Sequence, residues 1–472
     1  MVQRDIPFRD RAIETAPRAV IEWMQLEGLK KQIEHALNTD FYKGRLKAAG
    51  IKSGDDIKTL ADIRKLPFTT KNDLREAYPF GLLAVPKEEV VRVHASSGTT
   101  GTPTVIYLTQ KDLDNASDTM ARSLVAAGGT KHDVVQNMMT YGLFTGGLGF
   151  HYGAEMMGAM VIPTSSGNTL RQLKFMKDFG TTMIHATPSY LLHLHAAIEE
   201  EGYKRDDLKL RMAITGAEPH SEELRCKIQS KLGIEVYNCY GMSELNGPGV
   251  AFECVFRQGM HIWEDRYIAE ILNPETFEPV TEGETGELVV TILCRDAMPL
   301  IRYRTRDLTR FIVGPCECGR THRRLARFTG RTDDMLIING VNVFPSQIEE
   351  VLLKAKGVGA NYFIIVDKID DLDKLTVQVE ITPEMFADDS RVINALRDRL
   401  RSEMSALITI NPIIEIKQPG SLPVSEGKAK RVDDRRPKDE KKKVRRVKSP
   451  PAAHMVAPHP LFRYFLRRLY FV

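Results

Sequence analysis

TTMIHAT (Thr181–Thr187), KLRMAIT (Lys209–Thr215) and IEVYNC (Ile234–Cys239) are the runs whose reading decides the fold. Each is short and β-rich, ends near small or turn-forming residues, and is separated from the next by helix-patterned sequence. Strands that alternate with helices need crossover connections, which predicts a mostly parallel, covered sheet. VVRVHA (Val90–Ala95) and VIPTS (Val161–Ser165) extend the alternation toward the N-terminus. Earlier still, from about Arg18 to Leu60, apolar residues recur every three or four positions and predict helix. From about Gly259 to Val313 the pattern changes: AEILNPETFEPVTEGETGELVVTIL reads as strand, Gly-rich turn, strand, an antiparallel piece. After GRTDD (Gly330–Asp334) come DMLIING, a helix from Ser346, the alternating strand KLTVQVEI, a helix near Arg391 to Leu407 and the strand PIIEIK. The expectation is an α/β fold. Its large unit, residues 1–332, holds mostly parallel sheets plus a β piece; a small α+β unit follows over residues 333–434, with a boundary near Asp333.

The chain has 472 residues, 42% of them apolar, which is too long for one comfortable domain. A charged fraction of 27% and a net charge of +4 imply no strongly acidic or basic partner for the body of the protein. Six cysteines in a chain of this size are no disulfide framework. The first twenty residues carry charge throughout and no apolar core, so no signal peptide is expected there. No run approaches the roughly 18 consecutive apolar residues of a spanning helix. A cytoplasmic protein without a membrane span is the expectation. Residues 435–472 differ in composition: a basic run with Pro and Ser, expected to be disordered, then the basic and aromatic PLFRYFLRRLYFV. That end suits a membrane surface or an acidic partner, although an extension without a role is the plainer reading.

The clearest chemical motif is HASSGTTGTPT, His94–Thr104, between a β run and VIYLTQKDL. Ser96, Ser97, Gly98, Thr99, Thr100 and Gly101 offer backbone N–H groups and hydroxyls that wrap an anion, and the loop suits a triphosphate. It is not a Walker loop, because the lysine of that motif is absent. Taken alone, it also reads as a Ser/Thr/Gly linker.

Four further motifs follow in order: YGMSE (Tyr240–Glu244), RYRTRD (Arg302–Asp307), GRTDD (Gly330–Asp334) and Gly427-Lys428. As an ordered set they resemble the adenylate-forming enzymes, the superfamily of acyl-CoA synthetases, luciferases and adenylation domains. The wording of HASSGTTGTPT, YGLFTGGLGFHYGAE, AMPLIRYRTRDLTR and DDMLIINGVNVFPSQIEE is similar to phenylacetate–CoA ligases, up to about Lys438. The resemblance implies an acid–thiol ligase. ATP and a carboxylate give an acyl-adenylate and pyrophosphate, and CoA then takes the acyl group. The first step brings two anions together, so charge must be neutralised.

The resemblance also implies roles. Glu244 matches a magnesium-binding glutamate, a hard oxygen ligand. Tyr240, with Gly241, Met242 and Ser243 after it, matches the aromatic against adenine, and Gly216, Ala217 and Glu218 match the opposite side of the base. Asp307 matches the carboxylate that accepts the ribose hydroxyls; Arg331 matches an arginine near ribose or phosphates. Lys428 matches the lysine that reaches the α-phosphate and carboxylate oxygens during adenylation, with Lys430 as its near neighbour in sequence. Asp333 matches a hinge about which the small unit rotates between half-reactions. Singly, each of these residues reads as core, solvated strand or plain turn; the order and the set carry the reading.

The acid pocket is expected at Tyr141-Gly-Leu-Phe-Thr-Gly-Gly-Leu-Gly149, where glycines let a flat ligand approach backbone. Tyr141, Phe144 and Gly147 come from that run, and Pro248 matches a pocket-wall position. Met139 departs from the family, which carries an aromatic there; methionine is adaptable and still suits an aryl group. A packed Gly-rich turn is the plainer reading. The expected acid is phenylacetate or a related aryl acid, as in phenylacetate catabolism.

Cys316 and Cys318, with Cys254 and His261 upstream, offer three thiolates and an imidazole, the donor set of a closed structural zinc site. His322 is the alternative fourth ligand, and a turn with free thiols is the alternative to zinc. Two competing functions stay open at this stage: an adenylate-forming ligase with a non-CoA acceptor, and a nucleic-acid-binding protein using the basic tail. The near-neutral body argues against the second. Partners are therefore small molecules (acid, ATP, CoA), with homodimer assembly an open expectation.

Overall fold

A computed structural model describes residues 6–96, 102–218, 220–332, 334–339, 341–369, 372–386, 390–422 and 431–436. The tail beyond 436, Lys428 and Lys430, Asp333 and the loop residues Ser97, Gly98, Thr99, Thr100 and Gly101 lie outside the described residues.

A nine-stranded sheet organises the large unit. Met160–Ile162, Val134–Asn137, Met183–Ala186, Met212–Thr215 and Glu235–Met242 run parallel, in that spatial order. Helices Thr145–Met157, Thr169–Asp178, Pro188–Glu200 and Glu222–Leu232 lie in the crossovers. Side chains of Met183–Ala186 and Met212–Thr215 are all buried, which is why these runs read as continuous rather than alternating. Beyond Glu235–Met242 the direction reverses. Gly247–Glu253, Met260–Ile262, Arg324–Leu325 and Phe311–Ile312 complete the sheet with antiparallel pairs. The expected antiparallel piece is a separate four-stranded sheet of Tyr267–Leu272, Gly286–Ile292, Tyr303–Thr309 and Gly330–Arg331.

Two local expectations changed. The run at Val90–Ala95 does not join the parallel sheet. Its strand, Arg92–Ala95, pairs antiparallel with Val105–Leu108 and stands as its own ribbon. The helical pattern from Arg18 resolves into Arg18–Leu37 and Asp40–Ala48, followed by short 3-10 turns. The break falls where the Thr39 hydroxyl caps the second helix by accepting from the Tyr42 amide at 3.1 Å.

Residues from Leu336 to Ile414 have a hydrophobic core of their own, including Ile338, Ile348, Ile364, Val377, Leu400 and Met404. Helices Pro345–Lys354 and Ser390–Ile408 pack on a sheet ordered Ile413–Lys417, Leu372–Ile381, Val358–Ile369, Val432–Asp434. This unit touches the large one through Leu353, which packs on the helices flanking the parallel strands, and through the Ser346 hydroxyl, which donates to the Thr329 carbonyl.

Candidate active site

The turns after the parallel strands meet the reversal of the sheet, and most of the expected residues gather there. Gly216 follows the strand Met212–Thr215. A side chain at this position would press on Cys239 Sγ at 2.6 Å, so only glycine lets the adjacent strand pass. Ala217 takes a left-handed backbone, φ 66°, and Glu218 accepts the Ser189 hydroxyl at 3.1 Å. Gly241 is required for a similar reason: a Cβ there would fall on the Gly247 carbonyl oxygen. The chain can therefore fold back tightly from Glu235–Met242 into Gly247–Glu253, placing Ser243 and Glu244 at the bend. Met242 is half-buried in this bend, and Ser243 Oγ accepts from Thr145 at 3.1 Å.

Tyr240 and Asp307 are 67 positions apart in sequence, and the Tyr240 hydroxyl donates to Asp307 Oδ2 at 2.6 Å. Burial, and then the Asp307 carboxylate beside it, hold the Tyr240 phenol well above its ordinary range, so it is a neutral donor. Asp307 Oδ1 accepts from Arg331 Nη1 at 2.8 Å, across the strand pairing Asp307↔Arg331. Arg331 also donates to the Thr305 carbonyl at 3.1 Å. The Tyr240 ring stacks on Phe328, centroids 4.1 Å apart and 24° between planes. Phe328 is a contact that no motif announced.

Glu244 is almost fully buried, and its Oε1 has no hydrogen-bond partner among the described residues. Lys71 Nζ stands 3.6 Å from that oxygen, at ion-pair distance. Lys71 opens the helix Lys71–Glu76, which the Thr70 hydroxyl caps. Nothing in the linear sequence around Lys71 links it to Glu244.

The two ends of the Ser/Thr/Gly loop meet at its base. Ser96 N donates to the Thr104 carbonyl at 3.0 Å, and the Ser96 and Thr104 hydroxyls meet. The ribbon is fastened to the expected acid pocket: Ala95 N and His94 Nδ1 both donate to the Leu143 carbonyl, at 2.9 and 3.0 Å.

In the pocket segment, the Asn137 amide donates to the Tyr141 hydroxyl and to the Gly147 carbonyl, each at 2.8 Å. Its Oδ1 therefore accepts, and His185 Nδ1 donates to it at 3.0 Å. His185 is fully buried and stacks on Phe150 at 3.9 Å; burial lowers its pKa to about 3, so the ring is neutral. Burial likewise pushes Tyr141 up to about 12. Pro248 lies against Gly149, and Met139 is half-buried two residues beyond the strand that ends at Asn137. Phe144 caps the helix Thr145–Met157 and is 45% exposed, with its ring at the surface rather than in packed interior. Asn137 and His185, which brace Tyr141 and Gly147, were not legible as site residues.

The cysteine cluster is closed. Cys254, His261, Cys316 and Cys318 are buried, and their ligand atoms all lie within 4.8 Å of one another. His322 is not the fourth member. Its Nδ1 accepts the Glu264 amide at 3.0 Å and its Nε2 faces the Ile13 carbonyl at 3.2 Å.

A large unit on a nine-stranded, partly parallel sheet, a separately cored small unit and a Tyr–Asp–Arg cluster have the layout of an adenylate-forming enzyme. The AMP-binding enzyme family matches residues 32–292, and the AMP-binding enzyme C-terminal domain matches residues 340–436. The phenylacetate-coenzyme A ligase of Pseudomonas putida is 47% identical over 433 residues, 90% of this chain and 98% of its own. That of Escherichia coli (strain K12) is 46% identical, covering 90% and 97%. The chain belongs to the phenylacetate–CoA ligase family of AMP-binding enzymes. It is an AMP-forming acid–CoA ligase that activates a carboxylic acid with ATP through an acyl-adenylate. Among solved structures, 2-hydroxyisobutyryl-CoA ligase in the postadenylation state superposes with a TM-score of 0.85 at 26% identity, covering 94% of this chain and 96% of that one. The same enzyme in its thioesterification state superposes less well, with a TM-score of 0.68 at 27% identity and 93% and 95% coverage. No helix among the described residues is long and apolar enough to cross a membrane.

Proposed function

We propose that the acid is phenylacetate or a closely related aryl acid, and that Tyr240, Asp307 and Arg331 form the nucleoside face on which it is activated. The nucleoside face rests on Tyr240 and Arg331, which converge from separate strands on the Asp307 carboxylate, and the aryl acid on the 46–47% identity to phenylacetate-coenzyme A ligases. Asp307 can exchange its present donors for two ribose hydroxyls, since a carboxylate accepts at both oxygens. Tyr240, neutral and already stacked on Phe328, offers an aromatic surface to a base, with Gly216, Ala217 and Glu218 opposite.

Glu244 suits a magnesium ion. Its buried Oε1, without a hydrogen bond among the described residues, is a hard donor with Lys71 at ion-pair distance. Bound there, magnesium would supply charge neutralisation to the triphosphate. Lys71 then has two uses for this chain: it pairs with Glu244, and it adds a cation to the phosphate region. Ser96 and Thr104 set the mouth of the loop that contains Ser97, Gly98, Thr99, Thr100 and Gly101.

Lys428 completes the adenylation site in this reading. Its flanks are anchored in the small unit: Leu422 N donates to Glu380 Oε1 at 2.6 Å, and Arg431 lies over the Tyr362 ring at 4.3 Å. The lower similarity to the thioesterification state supports a rotation of that unit about Asp333, with residues 1–332 and 333–434 as the two bodies. Homodimer assembly and a cytoplasmic location belong to the same proposal; light scattering and fractionation test them.

The substrate assignment is tested by scoring carboxylic acids for pyrophosphate release, with and without CoA. Phenylacetate-type acids should give the highest kcat/KM, with thioester formed only when CoA is present. A higher kcat/KM for palmitate than for every aryl acid overturns it.

A further inference from the structure

Two turns at the far edge of the nine-stranded sheet have the same construction. In one, the Cys254 carbonyl accepts the Arg257 amide at 2.9 Å; in the other, the Cys316 carbonyl accepts the Gly319 amide at 2.9 Å. Each turn ends in a left-handed residue, Arg257 at φ 55° and Gly319 at φ 74°. For arginine that backbone is a cost, held by its surroundings. The turns bring Cys254 Sγ to 3.7 Å from Cys316 Sγ. That is well beyond a covalent S–S bond of about 2.0 Å. It matches the edge of a tetrahedron of thiolates about 2.3 Å from a central ion, which is about 3.8 Å. Cys318 Sγ closes the cluster at 3.3 Å from His261 Nε2.

The histidine is prepared for the same purpose. His261 Nδ1 lies 3.1 Å from the His322 carbonyl. A carbonyl only accepts, so Nδ1 carries the proton and Nε2 turns its lone pair toward the thiols. A hydrogen bond of this kind from the other ring nitrogen orients an imidazole toward a metal ion. Arg324 braces the turns by donating to the carbonyls of Gln258 and Gly314, both at 2.8 Å, and of Pro315 at 3.1 Å.

We propose that Cys254, His261, Cys316 and Cys318 bind one zinc ion, and that this ion fastens the N-terminal segment of the chain to the sheet. Binding releases one proton from each of the three thiols. Four protein donors leave no open position for water, so the ion has no catalytic part. The fastening runs through the residues beside the second turn. Arg320 forms a fully buried ion pair with Glu14 at 2.7 Å, Thr321 donates to the carbonyls of Glu14 (3.1 Å) and Ala16 (2.6 Å), and His322 reaches Ile13. A loop released from the ion would release those contacts with it. The reacting site is elsewhere on the same strand: Pro248 and Cys254 are six residues apart along Gly247–Glu253 and its end, roughly 20 Å at strand rise.

The test uses the full-length protein, washed with chelator and measured by elemental analysis and native mass spectrometry. One zinc per chain is expected, absent from Cys316→Ser and Cys318→Ser and retained in Cys226→Ser, whose cysteine is exposed. Should the cluster variants fail to fold, the wild type decides. Cobalt exchanged into it should give thiolate charge-transfer and tetrahedral bands, and mercurial titration of the cluster thiols should release the zinc. Stripping the zinc should raise hydrogen exchange in residues 6–16 and 313–323 while the KM for ATP stays unchanged. Zinc-free wild type from zinc-supplemented growth, a native Cys254–Cys316 disulfide, zinc retained in Cys316→Ser, or no change in exchange at residues 6–16 would each overturn the proposal.

Discussion

The two ends of the strand Gly247–Glu253 are built on opposite principles. At its start, Glu244, Gly247 and Pro248 sit in a bend where a buried carboxylate oxygen has no hydrogen bond among the described residues and a lysine stands at 3.6 Å. At its finish, Cys254 enters a cluster whose four donors lie within 4.8 Å of one another. The first end has an acceptor with hydrogen-bonding capacity to spare, the condition of a site whose partners come and go. The second has its donors converged and its turns braced, the condition of a site that never opens. A buried group without a partner costs about 1–3 kcal/mol, so an enzyme keeps one where a ligand will repay it.

That contrast can be broken most severely from outside the strand. Lys428→Ala should remove a cation needed only while the adenylate forms. Adenylation, read by pyrophosphate release, should fall by a factor on the order of 10²–10³, as for other transition-state charge donors. Thioester formation from supplied acyl-adenylate should survive, and equal loss of both half-reactions would refute the assignment.

Asp307→Ala comes next. It removes the acceptor shared by Tyr240 and Arg331 and, in our reading, by the ribose. Hydrogen bonds to charged groups are worth about 1.5–3 kcal/mol, so the KM for ATP should rise roughly 10- to 150-fold. ATP titrations that overlay the parent would show that the carboxylate only holds the two strands together.

At the closed end the expected effect is on stability. Cys318→Ser should lower Tm by about 5–10 °C, given a few degrees per kcal/mol for domains of this size. The kcat of the folded fraction should stay at the parental value. A large loss of kcat at unchanged Tm would place the cluster in the catalytic machinery.

The smallest effect concerns the brace behind the acid pocket. His185 has a folded pKa of about 3 against an ordinary 6.5, because burial disfavours its charged form. The unfolded chain therefore binds the extra proton first. The stability that His185 contributes is whole above pH 6.5 and is lost as pH falls toward 3, with a slope of at most about 1.4 kcal/mol per pH unit. Urea midpoints should decline between pH 6.5 and 4.5, and less steeply in His185→Gln. Parallel profiles for the two proteins would remove His185 as the titrating group.

The sequence by itself determined the class of fold and the order of its motifs. Continuous apolar runs between helical segments suit buried crossover strands, and KLTVQVEI alternates because one of its faces is covered by helices. It also supplied the cysteine quartet, since thiols and imidazole spaced for turns at strand ends are few enough to be matched by type. It did not separate the ribbon Arg92–Ala95 from the parallel sheet, because a short apolar run has the same period in either setting. Nor did it reveal Lys71 beside Glu244, Phe328 beneath Tyr240, or the Asn137–His185 brace behind Tyr141 and Gly147. Each is an ordinary residue on an ordinary element, and its role depends on a contact between distant segments. The choice between His261 and His322 was of the same kind. Both lie within reach of the cysteines along the chain, and only the tertiary structure turned one imidazole toward the thiols while using the other to hold Glu264 and Ile13. Local pattern fixes which groups are available; long-range packing, which no short window of sequence encodes, decides which of them face each other.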